Sequence, residues 1–191
     1  MEPRAHEATL MARMAAGDTE AVGELYDRYG ARLYTLALHI CQDRGAAEEV
    51  VQDIFVTAWR EAARYDEMRG SVGAWLFTLA RNRAIDALRK GGRRPTVSWQ
   101  PLDDVEAGGH DVAASVEDRI MAAQARRAME SLPRAYREPL YLAYFRGLTH
   151  RQIADMTGLP LGTVKTRLRT ALEHLRRAMA PPGKGPKETL L

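Results

Sequence analysis

Residues 149–165 read THRQIADMTGLPLGTVK, a stretch with the spacing of a helix-turn-helix. Thr149 is suited to cap the first helix, because its hydroxyl can accept a hydrogen bond from a free backbone N–H. Ala154 is small where the second helix must cross closely, and Gly158 permits a left-handed turn. Val164 would then fill the space between the two helices.

The second helix of this motif is expected to open at Thr163, after Pro160 and Gly162 have ended the first. Six apolar residues then follow helical spacing. They are expected to form the buried face: Val164, Leu168, Ala171, Leu172, Leu175 and Met179.

The opposite face of this second helix carries short hydroxyls and long cations: Thr163, Lys165, Thr166, Arg167, Arg169 and Thr170. Such a face suits the DNA major groove, where arginine pairs with guanine and threonine contacts the thymine methyl group. Arg151 and Gln152, at the start of the preceding helix, are expected to contact phosphates. The alternative is a helical hairpin whose polar face meets only water, and the spacing alone leaves these two interpretations about even.

Charge is distributed unevenly along the chain. Residues 117–191 carry 14 Lys and Arg against 7 Asp and Glu, a net charge of +7, whereas residues 1–91 and 92–116 each have a net charge of −2. Phosphate neutralisation needs clustered cations, so this bias favours DNA binding by the C-terminal part.

Helical signals run through the whole chain and are interrupted near residues 91–115 and again at the C-terminus, where Pro and Gly accumulate. The sequence contains no segment of strand length in which apolar and polar residues alternate and which is flanked by hairpin signals. The prediction is an all-α fold of two small helical domains, 5–91 and 117–180. A flexible acidic linker over 92–116 joins them, and a disordered tail over 181–191 follows.

An amphipathic helix is expected near residues 46–62. Its core stripe consists of Val51, Ile54, Phe55, Ala58 and Ala62. Its polar side carries, in the first two turns, Glu48, Glu49, Gln52 and Asp53. Acids near a helix N-terminus are favoured by the helix dipole, and the functional alternative is a docking surface for a basic partner.

A further helix near residues 74–90 is expected to bury Leu76, Phe77, Ala80, Ala84 and Leu88. Its other side presents a tryptophan, hydroxyl, amide and charged groups: Trp75, Thr78, Arg81, Asn82, Arg83, Asp86, Arg89 and Lys90. Rings beside cations and amides suit unpaired bases, which stack on the rings while the phosphates meet arginine. Packing is the competing role for Trp75, and Asp86 is expected to pair with Arg89 or Lys90.

The loop before this helix, residues 65–73, reads YDEMRGSVG and is polar and rich in glycine. With Arg69 and Ser71 in it, such a loop could fold round a base that has been rotated out of the duplex. The N-terminal domain is therefore a candidate for binding single-stranded DNA.

Composition disfavours several function classes. The chain has no run of 18 apolar residues, and its N-terminus lacks the apolar segment of a secretory signal, so we expect a cytoplasmic protein. The single cysteine, Cys41, cannot form an intrachain disulfide, and the five His are scattered. We therefore expect no metal, no cofactor and no enzymatic activity. Cys41 is expected to be a buried structural thiol, with redox sensing as the alternative, and His39 is expected to be packed.

Three segments, in this order, resemble the extracytoplasmic-function (ECF) sigma factors, the compact two-domain branch of the bacterial sigma-70 family. Residues 43–55 are similar to region 2.2 of that family, residues 75–86 to regions 2.3–2.4, and residues 132–167 to region 4. The resemblance covers roughly residues 18–178. Val72 stands where many relatives carry an aromatic residue in the loop.

The resemblance implies a dissociable subunit that binds core RNA polymerase and directs it to promoter DNA. It places against the polymerase Glu48, Glu49, Gln52 and Asp53. It implies capture of a flipped base of the melted −10 element by the loop and the following helix, with Arg69, Ser71, Trp75, Thr78, Arg81, Asn82 and Arg83. The second helix of the helix-turn-helix would read the −35 element as duplex. The family also implies restraint by an anti-sigma factor, often membrane-anchored.

The alternative function is an autonomous helix-turn-helix repressor or activator. Such a protein would bind palindromic operators as a dimer and would need no polymerase. It would leave residues 43–90 without a purpose.

Overall fold

The computed structural model describes residues 3–91 and 116–179, which form two compact units that are considered separately below. All regular secondary structure in these two ranges is helical, which confirms the predicted all-α fold of two small domains. The predicted tail over 181–191 and the predicted linker over 92–116, except Val116, lie outside the described residues. Within the described ranges, none of the helices combines the length and apolarity that a membrane crossing demands.

Unit 1 consists of α1 (Pro3–Ala15), α2 (Thr19–Cys41), α3 (Arg44–Glu61) and α4 (Val72–Lys90), with short 3₁₀ turns at Ala62–Arg64 and Glu67–Arg69. Side-chain oxygens of Asp18, Asp43 and Ser71 cap the N-termini of α2, α3 and α4. Each accepts a hydrogen bond of 2.9–3.2 Å from a backbone N–H two or three residues later. These caps fix where each helix begins.

The core of unit 1 is built round α2, which packs against α1, α3 and α4. All five residues predicted for the core stripe of the helix near residues 46–62 are buried, four of them on α3 and Ala62 in the 3₁₀ turn that follows it. Leu76, Ala80, Ala84 and Leu88 of α4 are buried too. Phe77 differs from expectation: it is half-buried, because its ring packs edge-on against Tyr29 at the margin of the core, with centroids 6.4 Å apart. His39 and Cys41 are 1% and 3% exposed, which confirms that both are packed.

Unit 2 consists of α5 (Val116–Glu130), α6 (Arg134–Phe145), α7 (His150–Thr157) and α8 (Leu161–Ala178). One apolar cluster joins α6, α7 and α8 with the turn after α5. Its buried members are Leu132, Leu140, Leu142, Ile153, Val164, Leu168 and Ala171. The helix-turn-helix is therefore held by a core of its own.

The N-terminus of α7 is closed by a reciprocal pair of hydrogen bonds. The Thr149 hydroxyl accepts from the Gln152 backbone N–H at 3.2 Å, and the Gln152 side-chain oxygen accepts from the Thr149 N–H at 2.9 Å. Gly158 ends α7 with a φ of 69°, the left-handed conformation that the sequence predicts. The predicted cap and turn are both confirmed.

The start of α8 differs from the prediction. The helix begins at Leu161 rather than Thr163, so Gly162 lies inside its first turn instead of before it. The Pro160 carbonyl accepts a hydrogen bond from the Val164 N–H at 3.1 Å, which closes that turn. Glycine in a helix costs only about 1 kcal/mol, so it does not stop a helix that its surroundings support.

The predicted buried face of α8 is too wide. Leu172 is 52% exposed and Met179 is 43% exposed, whereas Val164, Leu168 and Ala171 are buried. At 3.6 residues per turn, Leu172 lies about 70° round the helix from the centre of the buried stripe. Met179 follows the last residue of the helix, beyond the reach of the core.

Candidate nucleic-acid interface

A cleft of about 560 Å³ opens in unit 1 between the end of α3, the two 3₁₀ turns and the first half of α4. It brings together four of the residues predicted to contact the −10 element: Arg69, Ser71, Trp75 and Thr78. It also includes wall residues that the sequence prediction missed: Thr57, Glu61, Arg64, Tyr65 and Leu79. Tyr65 is the first residue of the predicted loop 65–73, and its ring beside a glycine-rich segment is the signal that could have identified it as a contact.

The loop that rims this cleft is ordered by its own polar groups. The Asp66 carboxylate accepts a hydrogen bond from the Met68 N–H at 2.9 Å, and the Tyr65 hydroxyl donates to the Gly70 carbonyl at 2.9 Å. Gly70 has a φ of 146° and a ψ of 171°, a conformation open essentially to glycine alone. Ser71 then caps α4. These contacts give the loop a defined conformation at the rim of the cleft.

Two aromatic rings stand in the wall of the cleft. The centroids of Tyr65 and Trp75 are 6.2 Å apart, with 49° between the ring planes. Both side chains are half-buried. Val72, where an aromatic residue is common in the family, is 1% exposed and is part of the core. Any stacking surface in the cleft is therefore supplied by Tyr65 and Trp75.

The remaining predicted −10 residues lie farther along α4 and do not line the cleft. Asn82 and Arg83 are exposed, and Arg81 is half-buried. The Arg81 guanidinium donates a hydrogen bond to the Asn82 side-chain oxygen at 3.2 Å. Asp86 and Arg89 form the expected ion pair at 3.7 Å.

A second polar surface lies on α8 of unit 2. Of its predicted DNA-contacting residues, Lys165, Thr166 and Arg169 are exposed, and the other three, Thr163, Arg167 and Thr170, are half-buried. Arg169 lies 3.9 Å from Glu173 one turn on, a surface pair that DNA phosphate can outcompete at little cost.

The start of α7 carries the two residues that are predicted to contact phosphates, Arg151 and Gln152. Arg151 is exposed and available for a phosphate. Gln152 is also exposed, but its side-chain oxygen closes the cap with Thr149. Only its amide N–H groups are left to reach DNA.

The acidic face of α3 is a third polar surface. All four predicted residues, Glu48, Glu49, Gln52 and Asp53, are exposed. Glu48 and Gln52 line a groove toward α2 with Tyr26, while Glu49 lines another toward the end of α4. Among the side chains that the structure describes, none of the three carboxylates has an ion-pair partner. Three unpaired carboxylates on one ridge suit a partner that brings cations.

Metal binding has no support in the described residues. No group of three or more His, Cys, Asp or Glu there is placed to hold an ion.

Two segments of the chain match known protein families. Residues 25–94 match sigma-70 region 2, and residues 122–175 match sigma-70, region 4. Together these matches span more than half of the chain, which belongs to the sigma-70 family and, by relatives that are 39% and 36% identical, to the ECF RNA polymerase sigma factors.

Several proteins are similar to this chain over most of its length. The ECF RNA polymerase sigma factor RpoE of Cereibacter sphaeroides is 39% identical over 166 residues, 85% of this chain and 88% of the relative. SigK of Mycolicibacterium vanbaalenii is 36% identical over 177 residues, 89% of this chain and 87% of the relative. Rhodobacter sphaeroides SigE, solved in complex with the anti-sigma ChrR, is 36% identical, with 93% of this chain and 100% of that chain covered and a TM-score of 0.47.

Proposed function

We propose that this protein is an alternative sigma factor that binds core RNA polymerase and holds promoter DNA at two places. The observation that carries the proposal is the cleft of unit 1, which the Tyr65 and Trp75 rings line together with Arg64 and Arg69 in a sigma-70 region 2. Rings with neighbouring cations are what an unpaired nucleotide needs. The proposed domains are 5–91 and 117–180, with the linker between them.

At the −10 element the mechanism is differential binding. Rotating a base out of the duplex costs a few kcal/mol. Stacking on an aromatic wall returns about 1–3 kcal/mol per base, and arginines at the rim neutralise the flanking phosphates. Because this gain exists only for unpaired DNA, the cleft favours the melted state. The covalent chemistry is that of the polymerase, and we propose that this chain has no catalytic activity of its own.

At the −35 element the proposed reader is α8. Arg167 can pair with a guanine, and the methyl groups of Thr166 and Thr170 can contact thymine. Lys165, Arg169 and Arg151 are placed at the edges of this surface and are assigned to phosphates, which fix register and not sequence. The net charge of +7 over residues 117–191 supports both kinds of contact.

Core polymerase is assigned to the acidic face of α3. These exposed carboxylates have no partner among the described residues and have lost little solvation. They are therefore available to form ion pairs with a basic helix of the polymerase. Because core polymerase works there, we propose that the protein acts in the cytoplasm. Restraint by an anti-sigma factor, membrane-anchored or not, stays a prediction from the family.

The alternative of an autonomous repressor or activator is disfavoured. It uses α8 but gives no role to a sigma-70 region 2, to the aromatic cleft or to the acidic face. No described feature favours it over a sigma factor.

Run-off transcription with purified core polymerase tests the proposal. Promoter-specific transcript should require both core and this protein. The double substitution Glu49→Arg with Asp53→Arg should abolish transcript and core binding, whereas Glu20→Arg, an exposed carboxylate at the start of α2, should leave both intact. A chain that never associates with core would contradict the proposal.

A further inference from the structure

Helix α1 lies before the part of unit 1 that matches the family, which begins at residue 25, and yet it contacts two elements that line the cleft. It packs against the 3₁₀ turn Ala62–Arg64, whose Arg64 lines the cleft, and it also contacts α4, whose first half lines the cleft as well. A helix in contact with both of these elements is placed to hold them in position.

A buried polar contact ties α1 to α2. Glu7 of α1 is 6% exposed, and its carboxylate accepts a hydrogen bond from the Tyr29 hydroxyl at 2.5 Å. Arg28 lies 3.3 Å from the same carboxylate oxygen. A buried carboxylate is stable only while it is paired, so these contacts hold the Tyr29 hydroxyl in one place.

The Tyr29 ring in turn lies directly on the backbone of α4. A Cβ atom at Gly73 would come within 2.8 Å of the Tyr29 hydroxyl oxygen, so no larger residue fits while Tyr29 stays where it is. The Arg32 guanidinium covers the ring, 4.8 Å from its centroid. Gly73 is in the first turn of α4, between Ser71 and Trp75, both of which line the cleft.

We propose that Tyr29, held by Glu7, is a positioning residue that sets the first turn of α4 and thereby the wall on which the unpaired promoter base stacks. This inference rests on the proposed role of the cleft. It makes α1 part of the machinery for promoter opening, because loss of the Glu7–Tyr29 contact frees the wall without removing any group that touches DNA.

The test uses holoenzyme reconstituted from core polymerase and the full chain. The probe is a fork-junction DNA from a promoter that run-off transcription has identified, with an abasic site moved through the unpaired −10 strand one position at a time. With the wild-type protein, one position should lose about tenfold in affinity when its base is absent, the expected effect of one stacked base. With Tyr29→Phe, that loss should fall to about twofold or less, because the base no longer stacks on the displaced wall.

Controls separate positioning from general damage. Tyr141→Phe removes a buried tyrosine hydroxyl from unit 2, at a residue that is not among those described as lining the cleft, and this variant should still show the tenfold loss. Glu7→Gln retains an oxygen that can accept a hydrogen bond from Tyr29, so this variant should also show the tenfold loss of affinity at the sensitive position. In Glu7→Met, which has no such oxygen, that loss should fall to about twofold or less. This pair keeps the test decisive even if Tyr29→Phe fails to fold.

The outcomes are distinguishable. A wild-type scan without any sensitive position would overturn the role of the cleft and this inference with it. A clear wild-type position that is equally sensitive in Tyr29→Phe and Glu7→Met would overturn the inference alone and leave the proposed function standing.

Discussion

Replacing Trp75 with alanine should weaken promoter opening by an amount that the cleft geometry limits. A base between two parallel rings needs about 7 Å from ring to ring, twice the 3.4 Å separation of stacked bases. The Tyr65 and Trp75 centroids are 6.2 Å apart and their planes are 49° from parallel, so a base can stack on one ring but not between both. The loss from Trp75→Ala is therefore one stacking contribution, about 1–3 kcal/mol, or about 5- to 150-fold in the stability of the open complex.

The assay compares run-off transcription from a duplex promoter with transcription from the same promoter premelted by mismatches over the −10 element. We expect Trp75→Ala to lose about 5- to 150-fold on the duplex and less than about threefold on the premelted template, where the strands are already apart. Trp59→Ala, which removes an equally large side chain of α3 that does not line the cleft, should have no template-specific effect. Equal losses of Trp75→Ala on both templates would refute the stacking role.

Three further predictions concern Asn82, Arg167 and Tyr29. Asn82→Ala should also impair the duplex promoter more than the premelted one, and equal losses would remove Asn82 from the −10 contacts. Arg167→Ala should weaken binding of a −35 duplex by about 1–3 kcal/mol and relax its sequence preference. The exposed Arg176→Ala serves as the control, and an unchanged preference would remove Arg167 from the readers. Burial, followed by the hydrogen bond to Glu7, raises the pKa of Tyr29 above its ordinary value of 10. Above pH 10 the folded state thus keeps a proton that the unfolded chain releases. The contribution of the Tyr29 hydroxyl to the free energy of unfolding is therefore complete below pH 10 and is lost as the pH rises beyond it. Urea unfolding from about pH 8 to 11 should show a steeper alkaline loss in wild type than in Tyr29→Phe, and parallel curves would contradict it.

Helical periodicity predicted most of the fold because each unit keeps its apolar residues on one stripe. The five core positions predicted near residues 46–62 and the caps at Thr149 and Gly158 depend only on local spacing and turn chemistry. Leu172 and Phe77 were misjudged for a physical reason: hydropathy does not reveal where a neighbouring helix stops. Leu172 lies beyond the core of unit 2, and Phe77 lies at the edge of that of unit 1.

The site was predicted as faces of single helices, and its tertiary part was not. Glu61 and Arg64 come from the end of α3 and the following turn, and only the fold brings them to the loop before α4. Tyr29 and Glu7 are 22 residues apart, and no spacing rule joins them. In the opposite direction, Asn82 was predicted with the loop but lies outside the cleft, because position on a helix face does not fix which turn a pocket reaches.

The two-site division of labour, unpaired base in unit 1 and duplex in unit 2, is most directly tested by permanganate reactivity of thymines across a duplex promoter. The account predicts that thymines of the −10 element become reactive only when core polymerase and this protein are both present, while the −35 element stays double-stranded and protected. Protection of a palindromic duplex by this protein alone, with no reactive thymine when core is added, would contradict it.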